Sequence, residues 1–296
     1  MLKVERLSKS FGDLLALNQL DFEVKDGELF GVIGQNGAGK STLFRCIMNF
    51  YSKYDGKITY NGKKFSKIPL EKIGFLPEER SLDPKRKVED QIRYFAKLNK
   101  MNNISDDKLK EWFEYFEIDG KLSSKIKELS KGNQQKVQLL CALIYKPEFV
   151  ILDEPFSGLD PYNIRLLEKI IKDVNKEGTT IMFSSHNMEN VESLCKKLIM
   201  LKKGNIVLNG SPQEIRNSYE RNKIVVESSE DLFFLNDENI EMISQDGNKW
   251  TFILKNEDYA KVIFKKIVDN IGFVPYFDQS PPTLNEIFAR KVEENE

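Results

Sequence analysis

The chain has a single histidine, His186, and three cysteines, Cys46, Cys141 and Cys195, that lie far apart. That excludes a His/Cys cluster at metal-ligand spacing and an even set of cysteines for a disulfide framework. The thiols are expected to be buried and reduced, as in a cytosolic protein. No apolar run is long enough to span a bilayer. The opening residues, MLKVERLSKSFG, lack the apolar stretch of a secretory leader. An excess of one charge is also lacking. Lys and Arg number 45 against 46 Asp and Glu, for a net charge of −1, and the two signs are mixed along the chain. Nothing in that balance calls for a nucleic-acid partner. A hydrophobic content of 40% with 31% charged residues suits a packed core under a charged surface. A length of 296 residues suits about two domains of roughly 150 residues each. There is no internal repeat and no low-complexity linker.

Glycine is concentrated where it counts. The run Gly34-Gln35-Asn36-Gly37-Ala38-Gly39-Lys40-Ser41-Thr42 fits G-x-x-x-x-G-K-[ST]. It follows the apolar run Leu29–Ile33, which reads as a buried strand, and precedes Thr42–Asn49, which reads as a helix. Backbone N–H groups there can converge on phosphate oxygens at a helix N-terminus, where the dipole favours negative charge. Gly34, Gly37 and Gly39 permit backbone geometry that a Cβ would block. Lys40 is expected to reach the β- and γ-phosphates, and Ser41 to hold Mg²⁺.

Further strand-like runs at Leu20–Val24, Lys57–Tyr60, Ile73–Leu76, Phe149–Leu152, Thr180–Ser184, Lys197–Leu201 and Asn205–Leu208 alternate with helical patterns. They predict an α/β domain with a mostly parallel sheet over residues 1–218. Between about 87 and 145, apolar residues recur at spacings of three and four, which predicts an inserted helical subdomain. Residues 219–296 read as a small α+β domain. Strands are expected at Ile224–Val226 and across Met242–Leu254, with a hairpin turn at Asp246-Gly247. A helix is expected at Tyr259–Val268, and Thr283-Leu284-Asn285-Glu286 reads as a capping box opening the last helix.

Val150-Ile151-Leu152-Asp153-Glu154 is an apolar strand ending in two acids. Beside a phosphate loop, Asp153 suits Mg²⁺ through water, and Glu154 suits a general base for the attacking water. His186 follows another apolar strand and would stand at the same sheet edge, although a lone histidine is more often structural. Ser130 and Gly132, ahead of an apolar helix, can present a hydroxyl and N–H groups to an anion. Taken alone, they read better as an N-capped helix.

In this order the pieces resemble the ATP-binding-cassette (ABC) ATPases over residues 1 to about 215. Gly34–Thr42 matches the Walker A loop, and Asp153 and Glu154 match the Walker B aspartate and the catalytic glutamate. Ser157-Gly158-Leu159-Asp160 matches the D-loop and His186 the switch histidine. Phe11 takes the place of the aromatic that stacks on adenine, with a core phenylalanine as the alternative. Leu129–Asn133 matches the signature LSGGQ, with Lys131 and Asn133 as departures. The resemblance implies a P-loop NTPase cassette that binds ATP and Mg²⁺ through Phe11, Gly34, Asn36, Gly37, Ala38, Gly39, Lys40, Ser41 and Thr42. Ser130, Gly132 and Asp160 would act across a dimer of two cassettes, homodimeric or heterodimeric.

Glu78, in Ile73-Gly74-Phe75-Leu76-Pro77-Glu78-Glu79-Arg80, stands where the family usually has a glutamine near Mg²⁺. That variant and Pro282–Phe288 are similar to the sodium-exporter branch, related to drug- and antibiotic-export ATPases. The implied protein is the ATPase subunit of a bacterial exporter, a cytoplasmic protein peripheral on the inner face of the cell membrane. Its partner would be an integral-membrane permease contacting the region of Glu78–Pro84 and the helical subdomain. The cargo stays open between sodium, a peptide antibiotic and a drug. A soluble cassette protein acting on ribosomes or DNA, or a nucleotide-binding regulator, is the alternative. One cassette without sustained heptads, together with Glu154 and His186, argues against both.

Overall fold

The computed structural model describes residues 1–79 and 81–294. Arg80, which ends the run singled out above, lies outside them, as do 295 and 296. The chain divides into two units, Met1–Ser211 and Pro212–Glu296, where the sequence predicts a boundary after residue 218. The first unit runs β1 (Leu2–Phe11), β2 (Leu14–Val24), β3 (Leu29–Ile33), α1 (Lys40–Ile47), β4 (Asp55–Tyr60), β5 (Lys63–Lys64), β6 (Ile73–Leu76), α2 (Val88–Leu98), α3 (Asp106–Tyr115), α4 (Lys131–Leu143), β7 (Phe149–Leu152), α5 (Pro161–Lys176), β8 (Thr180–Ser185), α6 (Met188–Leu194), β9 (Lys197–Lys202) and β10 (Asn205–Gly210).

Every residue of β3, β7 and β8 is buried. Strands with no polar face must be covered on both sides, as in a parallel sheet. They form the middle of a six-stranded sheet in the order β10-β9-β3-β8-β7-β6. All its pairs are parallel except the β9–β10 hairpin. A separate four-stranded sheet, β2-β1-β4-β5, is antiparallel. The two sheets and α1 share one core, in which Val4, Leu20 and Phe22 of the antiparallel sheet join Phe30, Val32, Ile151 and Met182 of the parallel one. Phe22 stacks on Phe30 with ring centroids 5.6 Å apart.

The sequence predicts strands only from Leu20, and so leaves out β1 and the first half of β2. Their pairing is broken by register shifts between Val4 and Leu7 and between Leu7 and Ser10. Arg6 and Gln19 adopt positive φ of 46° and 45°. Such bulges disrupt the period-two pattern that marks a strand.

The predicted helical insertion is α2, α3 and α4. Ser105 caps α3 by accepting from Lys108 N at 3.2 Å. All of Gln135–Leu143 on α4 is buried, so this helix is enclosed by protein on every side. The three thiols are buried. Burial pushes Cys46 up to about 11 and Cys195 up to about 12, and Cys141 is also raised. They therefore stay protonated and inert at neutral pH.

The second unit runs α7 (Pro212–Asn217), β11 (Lys223–Glu227), β12 (Ile240–Asp246), β13 (Lys249–Leu254), α8 (Ala260–Asn270), β14 (Tyr276–Asp278) and α9 (Leu284–Glu293). Its antiparallel sheet has the order β12-β13-β11-β14. Alternating residues Trp250, Phe252 and Leu254 pack with Ile263 and Ile267 of α8 in a core of their own. The hairpin turns at Gly247, φ 58°. The capping box is present: Thr283 Oγ1 accepts from Glu286 N at 3.2 Å, and Glu286 Oε2 accepts from Thr283 N at 2.8 Å. Among the described residues no helix is long and apolar enough to cross a membrane.

Candidate functional site

Parallel register brings four strand ends to one edge. Ile33 of β3 is level with Ser185 of β8, while Leu152 of β7 is level with Phe183 of β8 and Leu76 of β6. Gly34, Asp153, His186 and the Pro77-Glu78 pair therefore all leave the sheet on the side where α/β folds hold ligands.

Between β3 and α1 the chain makes the glycine loop. A Cβ on Gly34 would meet Leu201 O at 2.5 Å, and one on Gly39, φ 111°, would meet Leu17 Cδ2 at 2.9 Å and Ala16 O at 3.0 Å. Only glycine fits at either place. Gly39 is the N-cap of α1 and brings no capping side chain. The first-turn N–H groups of the helix thus have no acceptor within it and remain available to an anion. The loop is held from outside by the β9–β10 turn, where Gly204 N donates to Ala38 O at 3.1 Å and Gly204 O accepts from Asn18 N at 2.9 Å.

A cavity of about 700 Å³ opens here. Asn36, Gly37, Gly39, Lys40, Ser41 and Thr42 line it, with Glu78 and Glu154, the apolar group Phe11, Leu14, Leu15 and Ala16, and the turn Lys203-Gly204. Phe11 is 41% exposed, so it is a wall residue and not a core one. Its ring meets Tyr51 edge-on at 5.1 Å, and the Lys9 ammonium lies 4.6 Å from its centroid.

The charged groups form one chain of contacts. Lys40 Nζ donates to Gly34 O at 2.8 Å and Gln35 O at 3.2 Å, and sits 3.8 Å from Glu154 Oε1. Glu154 Oε2 is 2.9 Å from His186 Nδ1. A carboxylate only accepts, so Nδ1 carries the proton. Glu154 is 7% exposed, and its Oε1 has no hydrogen-bond partner. Its φ is 50°, an unusual angle for a non-glycine residue and a mark of local strain at the strand end. Ser184 ties the two acids together: its Oγ accepts from Glu154 N at 2.8 Å and donates to Asp153 Oδ1 at 2.7 Å. Asp153 is buried behind the wall.

Of the predicted residues, Phe11, Asn36, Gly37, Gly39, Lys40, Ser41, Thr42, Glu78 and Glu154 meet on the cavity wall. Gly34 and Ala38 shape the loop, and Asp153 and His186 touch the wall through Ser184 and Glu154. Ser130, Gly132 and Asp160 do not line this cavity. Ser130 caps α4 by accepting from Asn133 N at 3.3 Å. Asp160 caps α5 by accepting from Asn163 N at 3.0 Å, and that bond holds its carboxyl below the usual range. A Cβ on Gly132 would lie 3.5 Å from Leu159 Cδ2, so the start of α4 adjoins the loop before α5. Asn133, a departure from the signature, is occupied: its Oδ1 accepts from Asp119 N at 3.1 Å.

Sequence reasoning missed Leu14, Leu15, Ala16, Ser184, Lys203 and Gly204. Lys203-Gly204-Asn205 reads from the sequence as a glycine turn between two strands, but nothing local says that a turn after β9 reaches the loop after β3. Ser184 reads as one more residue of an apolar strand.

A family described as ABC transporter matches residues 17–157, and one described as ATP-binding protein DrrA1-3-like, C-terminal domain, matches residues 210–292. The chain is 41% identical over 294 residues to the uncharacterized ABC transporter ATP-binding protein YhaQ of Bacillus subtilis (strain 168), covering 99% of this chain and 98% of that protein. It is 35% identical over 216 residues to the Nod factor export ATP-binding protein I of Rhizobium sp. (strain N33), covering 71% and 70%. A solved ATP binding subunit of an ABC transporter matches at TM-score 0.66 and 29% identity, over 74% of this chain and 92% of that one. These relatives are named as ATP-binding proteins of ABC transporters or of export, and none of the three carries the name of a ribosome- or DNA-acting protein. The chain belongs to the ABC transporter ATP-binding proteins and is an ATPase that powers a membrane transporter.

Proposed function

We propose that this chain binds ATP with Mg²⁺ over the Gly34–Thr42 loop, hydrolyses it with Glu154 as general base, and drives export through a separate membrane subunit. The observation that carries this reading is the Glu154 carboxylate on the cavity wall, held between Lys40 Nζ at 3.8 Å and His186 Nδ1 at 2.9 Å. Lys40 and the α1 N–H groups take the phosphates. Phe11 stacks on the base, with Leu14 and Leu15 beside it. His186 steadies Glu154, and the carboxylate takes a proton from the attacking water.

The donor set suits Mg²⁺. Among the described residues no group of three or more His, Cys, Asp or Glu can hold a metal unaided. Mg²⁺ keeps several waters and takes phosphate oxygens, so one hydroxyl and one or two carboxylates suffice. Ser41 and Glu78 on the wall, and Asp153 through water, would hold it. When bound, the ion neutralises charge on the phosphate oxygens.

Ser130, Gly132 and Asp160 lie off this cavity, which supports their serving the nucleotide of a second cassette. The membrane partner fits a groove of about 470 Å³ lined by Leu70, Phe75, Pro77, Leu82, Phe95 and Leu98, among others. Leu70 and Leu98 are exposed apolar residues there, a surface that association would cover. The protein then sits at the inner face of the membrane. Export is supported by the name of the Nod factor relative. The membrane subunit would choose the cargo.

Two measurements test this. Phe11→Ala is expected to weaken ATP binding by about 1–3 kcal/mol, of order tenfold in Kd, with little change in kcat. An unchanged Kd would return Phe11 to a structural role. Specific ATPase activity is expected to rise with protein concentration as cassettes pair. Flat activity across a dilution series spanning a demonstrated monomer would place hydrolysis within one chain.

A further inference from the structure

We propose that Gln138 is a positioning residue that holds Glu78 on the cavity wall; the proposal rests on the reading of Glu78 above. Gln138 is 3% exposed, on a helix whose neighbouring residues Val137, Leu139 and Leu140 are apolar and buried. Its Nε2 donates to Pro77 O at 3.1 Å and to Glu79 O at 3.3 Å. Those carbonyls flank Glu78 on both sides. Carbonyls only accept, so the carboxamide must turn its N–H groups toward them, and its orientation is fixed. The consequence is visible on the other side of the group, where Oε1 is buried without a hydrogen-bond partner.

Leaving a buried acceptor unpaired is destabilising. An apolar residue of the same length would fill the space without that loss, so packing does not explain a glutamine here. What the carboxamide provides is a two-point clamp on a short loop whose middle residue lines the nucleotide cavity.

The same helix face makes a second such contact. Gln135, one turn earlier, donates from Nε2 to Pro155 O at 3.1 Å within the buried interior. Pro155 directly follows Glu154. Residues three apart on a helix share a face. One rigid, buried helix therefore ties down both segments that carry carboxylates to the wall, Glu78 through Gln138 and Glu154 through Gln135. Gln138 sets where the Glu78 carboxylate stands relative to the phosphate loop without touching nucleotide or metal.

The test is a double-mutant cycle on the full chain with Gln138→Met, which keeps side-chain length and removes both donors, and Glu78→Ala. The Mg²⁺ concentration for half-maximal ATPase is measured at fixed ATP, alongside the Kd for ATP without Mg²⁺. Each single variant is expected to raise the Mg²⁺ requirement roughly three- to tenfold, with Kd for ATP within about twofold of the parent. The double variant is expected to match Glu78→Ala alone, because residues acting through one group are not additive. If Glu78→Ala shifts the Mg²⁺ curve while Gln138→Met does not, or the two shifts multiply, Gln138 does not act through Glu78. If Glu78→Ala leaves the curve in place, the Mg²⁺ reading of Glu78 fails and the positioning role falls with it.

Discussion

Replacing Lys40 with alanine is expected to weaken ATP binding by about two orders of magnitude. The Lys40 ammonium is nearly buried and is aimed across the loop by its bonds to Gly34 O and Gln35 O at 2.8 and 3.2 Å. A charge-assisted hydrogen bond contributes about 1.5–3 kcal/mol, and a buried site loses little of that to screening. The substitution also removes a cation 3.8 Å from Glu154. The carboxylate that remains repels phosphate, so the loss exceeds that of a single bond. The loop keeps its hydrogen bond to the β9–β10 turn, where Gly204 N donates to Ala38 O at 3.1 Å, so the substitution removes the Lys40 bonds without releasing the backbone. Calorimetric titration with ATP is the direct check; an unchanged Kd would mean the phosphates lie elsewhere.

Glu154→Gln is expected to act in the opposite sense, on turnover and not on binding. Glutamine has the same shape, and its Oε1 can still accept from His186 Nδ1. The backbone bond from residue 154 to Ser184 Oγ, 2.8 Å, does not depend on the side chain. Loss of a negative charge beside the phosphates leaves ATP affinity equal or higher. Loss of a general base costs about 10²- to 10⁴-fold in rate. With hydrolysis stopped, ATP-bound cassettes accumulate as pairs, and gel filtration with ATP is expected to show a dimer that the parent protein forms only transiently. A monomer under those conditions would contradict closure of two cassettes around ATP.

The parts of this site that the sequence revealed are those whose chemistry is local. The loop Gly34–Thr42 announces itself because steric limits on glycine and the first turn of α1 lie within nine consecutive residues. Asp153 and Glu154 were legible because an apolar strand ends in acids. Strands β6 and β7 coincide residue for residue with the runs Ile73–Leu76 and Phe149–Leu152, since buried parallel strands are uninterrupted apolar runs. Strand β1 was not, because its bulges at Arg6 and Leu7 break the alternation. The separate antiparallel sheet was missed for the same reason. What the sequence withheld was contact between distant segments: the Lys203-Gly204 turn against Ala38, Ser184 linking Asp153 to Glu154, and Gln138 clamping the Glu78 loop. Each depends on which strands lie side by side, an order no local pattern encodes. The short elements α7 and β14 carry too few residues to show a period.

Single-turnover hydrolysis of ATP, with parent and Glu154→Gln proteins in excess over nucleotide and Mg²⁺ saturating, tests the central claim most directly. Both proteins are expected to bind all the ATP, the parent converting it to ADP and phosphate and the variant doing so at least about a hundredfold more slowly. Hydrolysis by the variant at a rate near the parent's would contradict Glu154 as the base, and with it the account of how this cavity works.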